Sequence, residues 1–599
     1  MTQIRRPRAA RALFAIVAIV AMCGTPGSAA VPLVDKLDSA LRAVLDNPLG
    51  SLTKVRVIVS ARPGQLSSLV LTLRLGGLPI LGEHPLIEAV TIEAPRLVVA
   101  TLSTLSLVQS ISLDAPVLAL TDPGGATTGE RLRGTIGLAG TGYTGAGIGV
   151  AVIDSGIHPS PALQSRIAAF YDFTGTGKPV AKAPYDDYGH GTHVAGLIGG
   201  SGAPSAGAYA GVAPGARLVG LKVLDSRGGG LTSHVISALE FAARQRVALD
   251  LHVVNLSLGH PVYERAATDP LVRAVELAVR RGLVVVASAG NYGSGVNGEV
   301  VYGGITSPGN APSAITVGAV NAQDTLTHDD DVVAPYSSRG PSWLDGTSKP
   351  DLGAPGHRLT AAASPVSRLW AGYPALQAPA VGPGHYMRLS GTSMAAAVVS
   401  GAVALTLEAH RTAGSAPRPA LSPNAVKAIL QHTAVPLGAD STTSADERLA
   451  VGAGMLNAGG ATELARRIDT SVAANTPWLA GLLAPVTTIA GQALPWSQHV
   501  IWNNRLVWGD AIYWNLPAFA SQTSWGSHIV WGDHIVWGDH TVWGLDRSWS
   551  NHIVWGDGWL GRVEGDHIVW GDTNVDQHNV AWGNTATSPS TSTNPLLVP

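Results

Sequence analysis

Between about Gly134 and Leu464, short apolar segments alternate with helical ones, and this alternation limits the fold more than any other feature of the chain. Ile148 to Ile153, Leu218 to Leu224, His252 to Leu256, Leu283 to Ser288 and Ile315 to Val320 are rich in β-branched residues and often bounded by glycine. Ser233 to Arg244 and Asp269 to Arg281 lie between them with helical spacing. Strands that read as unbroken apolar runs are buried on both faces. The expected architecture is therefore α/β, a doubly wound, mostly parallel sheet covered by helices on each side. Reactive groups in such sheets gather beyond the carboxyl ends of strands. Asp154 follows Ala151-Val152-Ile153, and Asn291 follows Val284 to Ser288, so both fall where that rule puts them.

With 599 residues the chain exceeds one compact core, so several domains are expected. Net charge is −2 and only 13% of residues are charged, which gives no basic footprint for a nucleic-acid partner. Residues 1–30 read as a signal peptide. Arg5, Arg6, Arg8 and Arg11 precede the apolar run Ala12 to Met22, and Ser28-Ala29-Ala30 offers a small-residue cleavage site. Cys23 is the only cysteine, so a chain cut after Ala30 has neither disulfides nor a thiol nucleophile. A secreted or extracytoplasmic protein is expected, stabilised by packing.

Residues 31–125 carry a smaller α+β pattern of ferredoxin-like type. Val55, Val57 and Val59 alternate as in a strand, and Leu66, Leu69, Val70 and Leu73 follow helical spacing. Leu86 to Ile92 reads as a strand, Leu97 to Leu105 as a helix and Val108 to Leu113 as a closing strand. Thr121 to Thr128 has the composition of an exposed linker. The α/β domain is placed at 134–465 and a second linker, rich in Ala, Thr and Pro, at 466–495. In the tail at 496–583, tryptophans recur every six residues, from Trp496 to Trp514 and from Trp525 to Trp555, around the unit HIVWGD. A period of six keeps each Trp on one face of a strand, so a β repeat is expected, either a meander with Gly-Asp turns or a solenoid coil. Such indoles serve as a stacked repeat core, or as a surface for sugars or a membrane; cell-envelope contact is one role this leaves open. The tail reads as separable, so loss of residues after about 490 is expected to spare catalysis. Residues 584–599, rich in Ser, Thr and Pro, are expected to be disordered.

Three stretches carry hydrolytic chemistry in the order Asp, His, Ser: VIDSGI around Asp154, GHGTHVAG around His190 and SGTSMAAA around Ser393. A serine hydroxyl becomes a useful nucleophile at neutral pH when an imidazole takes its proton and a carboxylate fixes that imidazole's tautomer. Gly189 and Gly191 allow the His190 backbone to approach a neighbouring strand end. Ser393 stands at the start of the apolar run Met394 to Leu405, whose helical amino end offers N–H groups to an oxyanion. The Asn291 side-chain amide is a second donor for that oxygen. His193, three residues past His190, invites a metal reading, but without an HExxH pattern it is expected to sit in the core.

These motifs resemble the subtilisin-like serine proteases (subtilases, peptidase family S8), and the likeness runs from about Gly134 to Leu464. LKVLD, NLSLG, SPGNAPSAITVGA, YSSRGP and KPDLGAPG add to it. The resemblance implies a secreted endopeptidase that acts on polypeptides through an acyl-enzyme. It implies that Gly228-Gly229-Gly230 and Ser257-Leu258-Gly259 clasp an extended peptide, and that Ala289, Gly290 and Thr306 line the first specificity pocket. It also implies a cleaved N-terminal propeptide that acts as inhibitor and folding aid, cut between about 115 and 132. The chemistry needs no cofactor; structural calcium occurs in many members, and no ligand set is assigned to it here. Ala397 and Val398 stand where the family commonly has Pro and His. A rival reading is a surface-binding protein in which the Trp repeat is functional and the α/β domain a scaffold.

Overall fold

The computed structural model describes residues 36–45, 54–119, 129–379, 381–414, 417–437, 445–479, 481–502, 505–508, 510–516, 519, 553–555, 568–570 and 580–582. The expected signal peptide, the stretch 121–128, the tryptophans from 525 to 549 and the final segment 584–599 lie outside these residues.

The N-terminal unit begins with α1 (Ser39–Leu45), followed by β1 (Lys54–Ala61), α2 (Leu66–Leu75), β2 (Ile80–His84), β3 (Ala89–Pro95), α3 (Arg96–Leu102) and β4 (Val108–Leu113). The strands form one antiparallel sheet in the order β2-β3-β1-β4, so the two later elements bracket the first strand. Val57 and Val59 of β1 pack with Leu69 and Leu73 of α2 and Val98, Val99 and Leu102 of α3, while Ile58 faces the opposite way. The alternation of β1 thus serves two cores. One is internal and the other belongs to the neighbouring domain. β2, which the sequence pattern leaves unassigned, is a short edge strand whose Gly82 and Glu83 interrupt any alternation.

β5 (Pro116–Ala119) follows, then β6 (Gly149–Asp154), β7 (Ile167–Asp172), β8 (Val180–Ala181), α4 (His190–Gly199), β9 (Arg217–Lys222), β10 (Gly229–Leu231) and α5 (Thr232–Arg244). Next come β11 (Leu251–Leu256), β12 (Leu258–Gly259), α6 (Pro270–Arg280), β13 (Val284–Ser288), β14 (Ile315–Asn321), β15 (Val332–Val333), β16 (Leu352–Pro355), β17 (Leu359–Ala362) and β18 (Tyr386–Leu389). The longer helices α7 (Thr392–Arg411), α8 (Pro423–His432) and α9 (Ala458–Arg467) close the domain, with the short helix Ala445–Val451 between the last two. The central sheet runs β15-β14-β13-β11-β6-β9-β7-β8, with β16 beside β14. It is parallel except at its edge strands β15 and β8. Val150 and Val152 of β6 enter the core under α4 and α7, whereas Ala151 and Ile153 enter the core under α5 and α6. This is the doubly wound arrangement that the strand composition implies.

α7 is long and apolar enough to cross a membrane, but it is wholly buried at the centre of the domain. Its small residues explain the fit. A Cβ at Gly401 would lie 2.6 Å from Val212 Cβ, and Ala397 and Val398 pack into the same core.

The stretch expected as a linker at 466–495 folds onto the domain instead. Ile468 and Trp478 of that stretch join the core under α7, α8 and α9, and so do Trp496, Val500, Ile512 and Phe519, which the sequence reading places in the Trp repeat. Trp478 Nε1 donates to the Ile512 carbonyl at 2.6 Å and Trp496 Nε1 to Thr487 Oγ1 at 2.8 Å. The hairpins β19 (Val486–Ile489) with β20 (Gln492–Pro495) and β21 (His499–Trp502) with β22 (Arg505–Trp508) complete this strap. The linker reading failed because the large apolar side chains are spread thinly among Ala, Thr and Pro. Further on, β23 (Ile553–Trp555), β24 (Ile568–Trp570) and β25 (Val580–Trp582) pair in parallel with Trp555, Trp570 and Trp582 in line. Strands that pair in parallel are not joined by a two-residue hairpin turn.

Candidate active site

β6 ends at Asp154, and its Oδ1 accepts the His190 Nδ1 proton at 2.7 Å. That bond makes Nε2 the unprotonated nitrogen of the neutral ring. His190 is the first residue of α4, whose opening turn lies very close to the segment that follows β6. A Cβ on Gly191 would lie 2.2 Å from the Gly156 carbonyl oxygen and 3.1 Å from Asp154 Cβ, so only glycine permits the approach. Gly189 has φ +106°, again a glycine conformation. Asp154, His190 and Ser393 are all fully buried.

Asp186, which sequence reasoning missed, organises this turn. Its Oδ1 accepts from Gly189 N at 2.7 Å and Ser155 Oγ at 2.9 Å, and its Oδ2 from Thr192 N at 2.8 Å and Oγ1 at 2.6 Å. One buried carboxylate therefore caps α4 and ties it to the residue after Asp154. An Asp four residues ahead of the helix was the available signal. Buried Lys222 adds a second brace, donating to the Ser155 and Leu224 carbonyls and to Asp187. His193 is a core residue as expected. Its Nε2 faces the Leu359 and Met387 carbonyls at 3.0 and 3.1 Å, and burial lowers its pKa to about 3.

Ser393 lies in the first turn of α7. Its Oγ donates to the Ser257 carbonyl at 3.0 Å, and His190 Nε2 has no partner among the described residues. Asn291 lies opposite. Its Oδ1 accepts from Thr392 N at 3.1 Å and Thr392 Oγ1 at 3.0 Å, while Nδ2 is buried without a partner among the described residues. Because a backbone N–H can only donate, Thr392 fixes which end of the amide is presented, and that end is the donor. Thr392 was not among the residues expected to matter.

Gly229 and Gly230 lie in β10, with Gly228 just before it, and Leu258 and Gly259 form β12. Between them lies β5, antiparallel to both, in a three-stranded sheet β10-β5-β12. Ala119 N donates to the Gly228 carbonyl at 3.1 Å. Ser257 is held by its own reciprocal bond, Oγ to the Ser393 carbonyl at 2.9 Å. Ala289 and Gly290 meet Thr306 nearby: Thr306 N donates to the Ala289 carbonyl at 2.9 Å, and Gly290 adopts φ +112°. No group of three or more His, Cys, Asp or Glu among the described residues is arranged to hold a metal ion.

A paired carboxylate and imidazole, a buried serine and an amide thus lie near a three-stranded sheet whose middle strand, β5, comes from the N-terminal part of the chain. The Subtilase family model matches residues 145–458. The chain is 37% identical over 369 residues to serine protease AprX of Bacillus subtilis (strain 168), covering 61% of this chain and 76% of that protein. To subtilisin E of the same organism it is 39% identical over 274 residues, 45% of this chain and 58% of that protein. It thus spans somewhat over half the length of that relative. The crystal structure of fervidolysin from Fervidobacterium pennivorans, a keratinolytic enzyme related to subtilisin, superposes with a TM-score of 0.52. The match has 22% identity and covers 69% of this chain and 62% of that one, and it bears on the fold alone.

Proposed function

Because this chain belongs to the subtilase family of serine proteases, we propose that it is a secreted endopeptidase. In this reading Ser393 forms an acyl-enzyme, and the N-terminal unit is an inhibitory propeptide removed by the enzyme itself. In the first half-reaction Ser393 Oγ attacks the substrate carbonyl while His190 Nε2 takes its proton. Asp154 holds the resulting imidazolium through the Nδ1 bond. The carbonyl oxygen, now negative, is held by Asn291 Nδ2 and the backbone N–H of Ser393. His190 then returns the proton to the leaving amine, and a water molecule repeats the sequence on the acyl group. Attack requires Ser393 Oγ to give up its bond to the Ser257 carbonyl and engage Nε2 instead.

The observation that carries this reading is the buried 2.7 Å Asp154–His190 bond with Nε2 unengaged. Thr392 holds the Oδ1 end of the Asn291 amide, which leaves the buried Nδ2 end as a donor. The propeptide role is supported by β5 in the cleft and by docking of the N-terminal unit on α5 and α6. Leu86 N donates to Glu240 at 2.9 Å, Ser233 N to Asp114 at 2.9 Å, and Arg273 to Ser60 Oγ at 2.9 Å. Secretion is supported by the basic-then-apolar N-terminus. The scaffold alternative has no observation in its favour, since a scaffold does not need a buried carboxylate–imidazole pair together with the serine and asparagine of the same motifs. Ser393→Ala should leave the precursor uncut; maturation of that variant purified alone contradicts self-processing.

A further inference from the structure

We infer that Asn255 and Ser400 position the nucleophile of this enzyme through a buried chain of hydrogen bonds that ends on the Ser393 carbonyl. The inference rests on the proposed function and adds two positioning residues to its reaction. Ser257 grips Ser393 twice. Its Oγ donates to the Ser393 carbonyl at 2.9 Å, and its own carbonyl accepts from Ser393 Oγ at 3.0 Å. Behind Ser257, Asn255 Nδ2 donates to Ser257 Oγ at 2.9 Å, and Ser400 Oγ donates to Asn255 Oδ1 at 2.9 Å. Asn255, Ser257, Ser393 and Ser400 are all fully buried. Two central elements carry the chain. Asn255 stands one residue before the end of β11, opposite Val152 of β6 and Val286 of β13. Ser400 lies on α7 seven residues past Ser393, close to two turns, so both serines share one face of the helix.

The direction of each bond follows from the group at the end of the chain. The Ser393 carbonyl can only accept, so the single Ser257 hydroxyl proton is committed to it. The Ser257 oxygen is then left as an acceptor, and only the NH2 end of Asn255 can supply its donor. That orientation turns Asn255 Oδ1 toward α7, where the Ser400 hydroxyl meets it. A flipped amide would set oxygen against oxygen at Ser257, or draw its proton away from Ser393. Ser400 is the only polar side chain between Met394 and Leu405. A helical serine commonly returns its proton to a carbonyl of the preceding turn, whereas this one gives it to Asn255. Ser400 thus holds the amide, the amide holds Ser257, and Ser257 fixes both the main chain and the hydroxyl of the nucleophile. A buried polar group left without its partner is costly, so the four residues act as a unit.

Two variants of the full chain test this, compared with the natural enzyme on one chromogenic tetrapeptide. The end-point of fluorophosphonate labelling counts folded sites, so kcat is read per site. Ser400→Ala should lower kcat by roughly three- to tenfold, the worth of one buried hydrogen bond, with KM little changed. Asn255→Asp is the sharper arm. A protonated carboxyl supplies the same donor and acceptor as the amide, but the ionised form can only accept and takes the Ser257 proton from Ser393. Burial raises the pKa of such a carboxyl into the working range. The kcat of Asn255→Asp relative to the natural enzyme should therefore fall by roughly tenfold or more as pH rises from about 6 to about 9. A role in packing alone leaves that ratio flat. A flat ratio, or an unchanged kcat in Ser400→Ala, overturns the chain while leaving the protease reading intact. If Asn255→Asp yields no folded sites, Ser400→Ala decides. Failure of both hydrolysis and labelling in the natural enzyme overturns the protease reading itself.

Discussion

At the scale of single residues the site depends on one donor being held in one orientation. Asn291→Ala should lower kcat by roughly 100- to 1,000-fold with little change in KM, since the amide acts on charge that develops only in the transition state. Thr392→Val removes the hydroxyl bond to Asn291 Oδ1 but leaves the backbone one. It should lower kcat by a smaller factor, and Thr392→Ser should restore it; an effect confined to KM contradicts the positioning role. Asp154, His190, Ser393 and Asn291 stood out in the sequence as candidates because each follows a strand or opens a helix with a recognisable neighbourhood. Thr392 and Asp186 were not. Thr392 acts on a residue 101 positions away, and Asp186 looks like any polar turn residue until Ser155 and Thr192 are seen to converge on it.

At the scale of elements, the parallel strands and buried helices were readable because their composition alone demands two covered faces. β5 was not readable. Four residues beside a Pro- and Gly-rich stretch become a strand only because β10 and β12, more than a hundred positions on, supply its hydrogen-bonding partners. The docking of the N-terminal unit also carries a pH dependence. Burial, with Asp269 and Asp38 as neighbouring carboxylates, pushes the Glu264 carboxyl up to about 8, and burial likewise raises Asp38. A carboxyl with a higher pKa when docked than when free takes up a proton on docking. Docking is then strongest below the ordinary value of 4.5 and weakens as pH rises through about 8. Inhibition by the cut N-terminal unit should therefore weaken across that window, by at most about tenfold per pH unit. Glu264→Gln should flatten the profile, and an unchanged slope in that variant assigns the effect elsewhere.

For the whole molecule, the main departure from the sequence reading is the strap that follows α9. Cutting the chain near 490 removes Trp496, Val500, Ile501, Ile512 and Phe519 from the cores and deprives Trp478 of its Ile512 partner. Each such loss costs about 2–5 kcal/mol, against a typical domain stability of about 5–15 kcal/mol. Truncation near 490 should abolish the folded domain, whereas truncation after 520 should keep both its melting transition and its peptide hydrolysis. Equal behaviour of the two truncations contradicts the strap. The central claim is that Asp154, His190 and Ser393 form a working relay. The direct measurement is labelling of the mature enzyme with a fluorophosphonate, followed by mapping of the modified peptide. One phosphonyl group per chain, on Ser393 and lost in His190→Ala, is the result predicted. Modification at another residue, or none in a folded enzyme, contradicts it.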